Sequence, residues 1–173
     1  MTDIATLMRT APVIPVLIVD DPAHAAPLAL ALVAGGLPLL EVTLRTPAAL
    51  AAVARFIVSP GLTEPLARAA ITARAAFLPG IANAGDIMRG LDLGLDRFKF
   101  FPAVASGGLP VLSALATVFG VARFCPTGGI TAASAPEWLA KPFVECVGGS
   151  WLAGRDETDW DAIEARARDA ANS

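Results

Sequence analysis

Phe98-Lys99-Phe100-Phe101-Pro102 is a short aromatic run that reads as a buried β-strand with a lysine at its centre. Side chains alternate faces along a strand, so Phe98 and Phe100 point one way and Lys99 the other. With the phenylalanines packed under helices, the amine projects into the opposite, enclosed face. An ammonium there must pair with a carboxylate or give up its proton. A neutral amine is a nucleophile suited to forming a Schiff base with a ketone. The competing reading is a lysine that snorkels or sits in a structural ion pair.

Working outward, similar β-branched or aromatic runs recur at 13–19, 39–44, 56–58, 76–78, 122–125 and 143–147. Several end in Pro or Gly, as in Ser59-Pro60-Gly61, Leu78-Pro79-Gly80 and Cys125-Pro126-Thr127-Gly128-Gly129. Between them lie Ala/Leu-rich segments with helical spacing at 22–33, 47–55, 64–70, 84–91, 110–119 and 134–140. A last amphipathic helix is expected over 160–171, with Thr158 and Asp161 resembling a capping box, and a short helix over 3–9. Strand and helix alternating roughly every 20–25 residues argue for parallel βα units. Strands without a solvent face fit a sheet covered by helices, and Gly/Pro at their C-terminal ends suits the ligand face of a barrel. The expectation is a TIM-type (β/α) barrel with seven recognisable βα units in place of eight, forming one domain over residues 1–173. A doubly wound open sheet competes, but no G-x-G-x-x-G follows the first strand.

Composition narrows the partners. The chain has 173 residues, 55% hydrophobic and 17% charged, with a net charge of −3, so neither disorder nor a cationic nucleic-acid surface is expected. Mean hydropathy is +0.61, yet the uncharged runs 25–40 and 100–122 are broken by Gly and Pro. No secretory signal pattern opens the chain, which points to a soluble cytoplasmic protein with no membrane partner. Cys125 and Cys146 have no metal-ligand spacing and read as buried thiols, and no metal constellation is visible. His24, the sole histidine, reads as a surface residue.

Leu39-Leu40-Glu41-Val42-Thr43-Leu44-Arg45 adds chemistry. Glu41, Thr43 and Arg45 share one parity, and the leucines and valine share the other. Leu40, Val42 and Leu44 facing helices would send a carboxylate, a hydroxyl and a guanidinium inward. Glu41 and Arg45 lie roughly 13 Å apart along a strand, deep enough for proton transfer and near the mouth, respectively. A structural Glu-Lys or Glu-Arg pair is the alternative. Gly128-Gly129 and Gly148-Gly149-Ser150 close two successive strands, where paired glycines let N–H groups approach an anion such as phosphate.

These segments resemble the class I 2-keto-3-deoxy-6-phosphogluconate (KDPG) aldolases. The resemblance runs through Val13-Ile14-Pro15-Val16, Glu41-Val42-Thr43-Leu44-Arg45-Thr46, Ser59-Pro60-Gly61-Leu62-Thr63-Glu64-Pro65, Leu78-Pro79-Gly80-Ile81, Phe98-Lys99-Phe100-Phe101-Pro102-Ala103, Arg123-Phe124-Cys125-Pro126-Thr127-Gly128-Gly129-Ile130 and Gly148-Gly149-Ser150-Trp151, in order. It implies a homotrimeric, cofactor-free barrel lyase that splits KDPG into pyruvate and glyceraldehyde 3-phosphate, with 4-hydroxy-2-oxoglutarate (KHG) as a secondary substrate. It further implies Lys99 as the Schiff-base lysine, Glu41 as general acid/base and Arg45 as the ligand of the pyruvyl carboxylate. Gly128, Gly129, Gly149 and Ser150 would hold the phosphate, with Thr127 and Pro60 lining the pocket. The family also carries a third βα unit of about 30 residues, with a Gly-Ala-Gly-Thr-Val-like strand, where this chain passes directly from Arg55 to Ile57. The threonine of that strand has no heir here, and Val104 stands where an acidic residue is frequent. Two other readings are compatible with the same residues. One is a catalytically impaired phosphosugar-binding remnant of the same fold. The other is a phosphate-binding isomerase that uses Glu41 as a base.

Overall fold

The computed structural model describes residues 3–43 and 56–173. The helix expected over 47–55 and the Arg45 assignment lie outside them. Strands β1 (Val13–Leu17), β2 (Glu41–Val42), β3 (Phe56–Val58), β4 (Ala76–Leu78), β5 (Gly80–Ile81), β6 (Arg97–Phe100), β7 (Arg123–Pro126) and β8 (Val147–Gly149) are all parallel where they pair. They alternate with α1 (Ile4–Met8), α2 (Pro22–Ala34), α3 (Glu64–Thr72), α4 (Ala84–Asp92), α5 (Gly108–Val118), α6 (Ala135–Leu139) and α7 (Trp160–Ala171).

The strands run side by side in the order β2-β1-β8-β7-β6-β5, with β4 carrying β3 at the far end. Two isolated bridges link the neighbourhoods of β7 and β8, one from Phe124 to Val144 just before β8 and one from Thr127 just after β7 to Gly148. β4 and β5 form one strand position interrupted at Pro79. Pro79 has no N–H to give, and its carbonyl accepts the Lys99 N–H at 2.8 Å. Among the described residues no ladder joins β2 to β3. Counting β4 and β5 as one, seven strand positions are present among the described residues, as the sequence pattern predicts.

Alternation along each strand sorts side chains into two layers. The outer set, with Val13, Leu17, Phe98, Phe100, Phe124 and Val147, packs against the helices in the main core. The inner set, with Ile14, Leu39, Leu78, Cys125 and Cys146, fills the space enclosed by the strands, and Met8 of α1 plugs it from below. Fully burying Phe98, Phe100 and Phe124, each 0% exposed, contributes about 1.5–3 kcal/mol apiece. Near the N-terminal ends of the strands, Glu145 accepts both Arg97 Nε and Arg97 Nη2 at 3.2 Å and Arg9 Nη1 at 3.1 Å. This closes the face opposite the site. α2 and α7 approach so closely at Gly35 that a Cβ there would lie 2.4 Å from the Ala167 methyl.

Several local expectations shift. The cap of α7 is Asp159, whose carboxylate accepts the Ala162 N–H at 3.0 Å; Thr158 is not the cap. His24 is half-buried with its ring edge-on to Trp160, 5.9 Å between centroids, because α2 packs on α7. The last strand spans Val147–Gly149 and overlaps the expected 143–147 only at Val147, so Gly148 and Gly149 lie in β8 itself, paired with Ile14 and Pro15. Their missing side chains matter because Thr127 already occupies the space on the inner side of Gly148 and Trp151 the space on the outer side of Gly149.

Candidate active site

Lys99 sits in the middle of β6, with Phe98 and Phe100 turned outward and its own side chain turned inward, as strand parity requires. The residue is 5% exposed. Its Nζ donates to Glu41 Oε1 at 2.6 Å, across the enclosed space from β2. Leu40 and Val42 pack on the outer core, so Glu41 must face inward. The two residues are 58 apart in sequence, and only the curvature of the sheet brings them together. Desolvated charge-assisted contacts of this length are strong, and each partner here is expensive to leave alone.

The Phe101 ring, one parity step beyond Lys99, lies 5.3 Å from Nζ and offers its π face to the cation. Sequence reasoning placed Phe101 in the aromatic run without this role, although residues 99 and 101 share a face. Thr127 is buried beside Cys125, its Oγ1 donating to the Cys125 carbonyl at 3.4 Å. Gly148 makes room for it, since a Cβ there would fall 2.2 Å from Thr127 Oγ1. Cys125 and Cys146 complete the inner layer. The Cys146 thiol is pushed well above the usual thiol range by its hydrogen bond with Cys125 and by burial, so its sulfur behaves as a packing group.

The rim is built from loops. Ser59 Oγ donates to the Gly61 carbonyl at 2.8 Å, and this loop rests on Gly80, where a Cβ would lie 2.2 Å from the Pro60 carbonyl group. Pro60 itself is exposed at the rim. Gly128 and Gly129 have φ of +103° and +79°, conformations that favour glycine. They fold against the loop after β6, where Ala103 N–H donates to the Thr127 carbonyl at 2.8 Å and Val104 N–H to Gly128 at 3.1 Å. Gly149 is buried and Ser150 exposed. The N–H groups of Gly129 and Ser150 make no hydrogen bond to another described residue, which leaves them available to an anion. Thr43 spends its hydroxyl on the Leu17 carbonyl at 3.0 Å. The described residues thus unite Lys99, Glu41, Thr127 and the Gly-rich rim on one face. Among them no group of three His, Cys, Asp or Glu residues could hold a metal.

The family model for KDPG and KHG aldolases matches residues 4–55 and 49–166. This chain belongs to the KDPG and KHG aldolase family. It is 50% identical over 200 residues to the 2-dehydro-3-deoxy-phosphogluconate aldolase of Zymomonas mobilis, covering 99% of this chain and 96% of that protein. The crystal structure of the 2-keto-3-deoxy-6-phosphogluconate aldolase of Zymomonas mobilis superposes with a TM-score of 0.95 over 98% of this chain and 97% of that one. The KDPG aldolase of Legionella pneumophila, 37% identical, superposes with a TM-score of 0.94 over 98% of each chain; it was captured with pyruvate as a covalent carbinolamine. This aldolase therefore has a TIM-type α/β fold. The alignment with the Zymomonas protein spans 200 positions against 173 residues here. The two pieces of the family match meet at residues 49–55, beside the place where the third βα unit is missing from the sequence.

Proposed function

We propose that this aldolase cleaves KDPG to pyruvate and glyceraldehyde 3-phosphate through a Schiff base on Lys99, with Glu41 moving the protons. The observation that supports it most is the enclosed 2.6 Å contact between Nζ and the Glu41 carboxylate. Transfer of a proton from Nζ to Glu41 leaves an amine that adds to the C2 ketone. Protonated Glu41 then gives its proton to the carbinolamine hydroxyl, which departs as water and leaves an iminium. Glu41, again a carboxylate, removes the C4 hydroxyl proton as the C3–C4 bond breaks. The bonding pair flows into the iminium to form an enamine, and the aldehyde leaves. Glu41 returns the proton to C3, and water releases pyruvate from Lys99.

Arg45 would hold the pyruvyl carboxylate, and Thr127 and Pro60 would line the pocket. Gly128, Gly129, Gly149 and Ser150 would seat the phosphate through their backbone. KHG, with a carboxylate in place of the phosphorylated end, fits the same sequence of steps as a secondary substrate. The protein is read as one domain over residues 1–173, a homotrimer, working in the cytoplasm without a cofactor.

Borohydride reduction in the presence of pyruvate tests this directly. A pyruvyl adduct mapped to Lys99, lost in Lys99→Ala and retained in Lys141→Ala, is the expected result. Folded protein that gains no adduct would favour the second reading, an impaired phosphosugar-binding barrel. That reading draws on the missing ladder between β2 and β3 among the described residues.

A further inference from the structure

The loop that follows β8 is fastened from two sides. From α7, Arg166 donates through Nε to the Leu152 carbonyl at 2.8 Å and through Nη2 to Glu157, whose other carboxylate oxygen accepts the Gly154 N–H at 2.7 Å. From the loop after β1, Asp20 accepts Arg155 Nε at 2.6 Å and Arg155 Nη2 at 3.0 Å. Between the two loops lies a cleft of about 170 Å³ whose lining includes Val16, Ile18, Leu28, Ser150, Gly154 and Arg155. Val16 is the register partner of Glu41, so the cleft stands one strand away from the acid of the site.

A guanidinium carries five N–H donors in a fixed fork. Asp20 engages the Nε side and leaves the Nη1 pair free, while holding the plane of the group in place. The pairing also holds the Asp20 carboxyl below its usual range, so the strap stays charged. Asp20 is matched with Arg155 and Glu157 with Arg166, while Asp156, next to Arg155 in the loop, has no ion pair among the described residues and adds negative charge beside the guanidinium. Ser150, whose N–H has no described partner, is shared by this cleft and the Gly-rich rim.

We propose that Arg155, oriented by Asp20, is a specificity residue for the phosphate end of the substrate, donating from Nη1 to an anion seated on the Ser150 backbone. This rests on the aldolase reading above. Asp20 is a positioning residue, touching Arg155 and not the substrate.

The test uses the full chain with Arg155→Gln, Arg155→Lys and Asp20→Asn. In Arg155→Gln, the KM for KDPG rises about tenfold with kcat unchanged, while the kinetics with unphosphorylated 2-keto-3-deoxygluconate do not move. Asp20→Asn gives a smaller rise and Arg155→Lys recovers part of the loss. Inorganic phosphate, followed by 31P line broadening, binds Arg155→Gln about tenfold more weakly than the parent. Equal effects on both sugars would make the pair a strap for the loop only, and no effect on either would remove Arg155 from recognition; each result overturns the proposal. Pyruvate trapping on Lys99 in the parent protein judges the aldolase reading separately, and the phosphate titration judges Arg155 even if trapping fails.

Discussion

Lys99 and Glu41 meet at 2.6 Å, but their strands are supported in opposite ways. β6 is paired on both sides, through Lys99 and Phe100 to Gly80 and Ile81, and along all four residues to β7. Its outward side chains Phe98 and Phe100 are fully buried. β2 is matched to β1 at two residues only, Glu41 and Val42, and among the described residues it has no ladder on its other edge. The far margin is similarly thin. Ile57, the outward residue of β3, is 37% exposed, whereas its register partner Phe77 on β4 is 3% exposed. The amine is therefore fixed by packing on the closed arc of the barrel, while among the described residues the acid is supported by β1 and by the contact it makes with that amine.

The largest test of this contrast is Lys99→Ala. It should abolish the pyruvate adduct and lower turnover at least about a thousandfold, and it should also weaken the fold by leaving a half-buried Glu41 unpaired. Chemical denaturation beside the trapping assay separates the two losses; an unchanged midpoint would show that Glu41 has other support. Glu41→Gln keeps the amine on its rigid strand, so the pyruvate adduct still forms, slowly, while kcat falls about 10²–10⁴-fold.

Packing variants probe the same difference without touching the chemistry. Phe98→Ala on the closed arc should cost about 3–5 kcal/mol, against about 1 kcal/mol for the partly buried Val42→Ala. Comparable losses in urea unfolding would erase the distinction. Hydrogen exchange sharpens it further: amides of β6 and β7 should exchange at rates near global unfolding and those of β2 well before.

The smallest effect concerns pH. The Cys146 thiol is raised in the folded inner layer by Cys125 and by burial, so the folded state keeps its proton where the unfolded chain, titrating near pH ~8.5, loses it. Stability is full below that pH and declines as pH climbs above it. Denaturation midpoints at pH 7 and pH 9.5 should show the decline in the parent and less of it in Cys146→Ala.

Much of the arrangement was legible from local pattern. The alternation in Arg97–Phe100 placed the lysine inward, and the leucines flanking Glu41 did the same for the acid, because a two-residue period needs no knowledge of the fold. The seven strand positions followed for the same reason, and the α7 span from the period of about 3.6 residues of an amphipathic helix. Details set by neighbouring atoms were not legible. Thr158 and Asp159 are both plausible caps, and backbone geometry chose Asp159. His24 looked exposed until α2 met α7. Gly148 and Gly149 looked like loop residues, and their place in β8 reflects pairing with Ile14 and Pro15 of a strand at the other end of the chain. The Asp20–Arg155 strap joins residues 135 apart, with no motif to announce it.

From the sequence alone came the type and order of the elements, the inward face of Lys99 and Glu41 and the family resemblance, since these depend on short-range periodicity and on residue identity. Only the tertiary structure decided that Lys99 reaches Glu41, that Phe101 lies under the amine and that Arg155 is held at the edge of a cleft. Such contacts arise where distant segments converge, and convergence is set by strand order, sheet curvature and loop packing that no local window of residues contains.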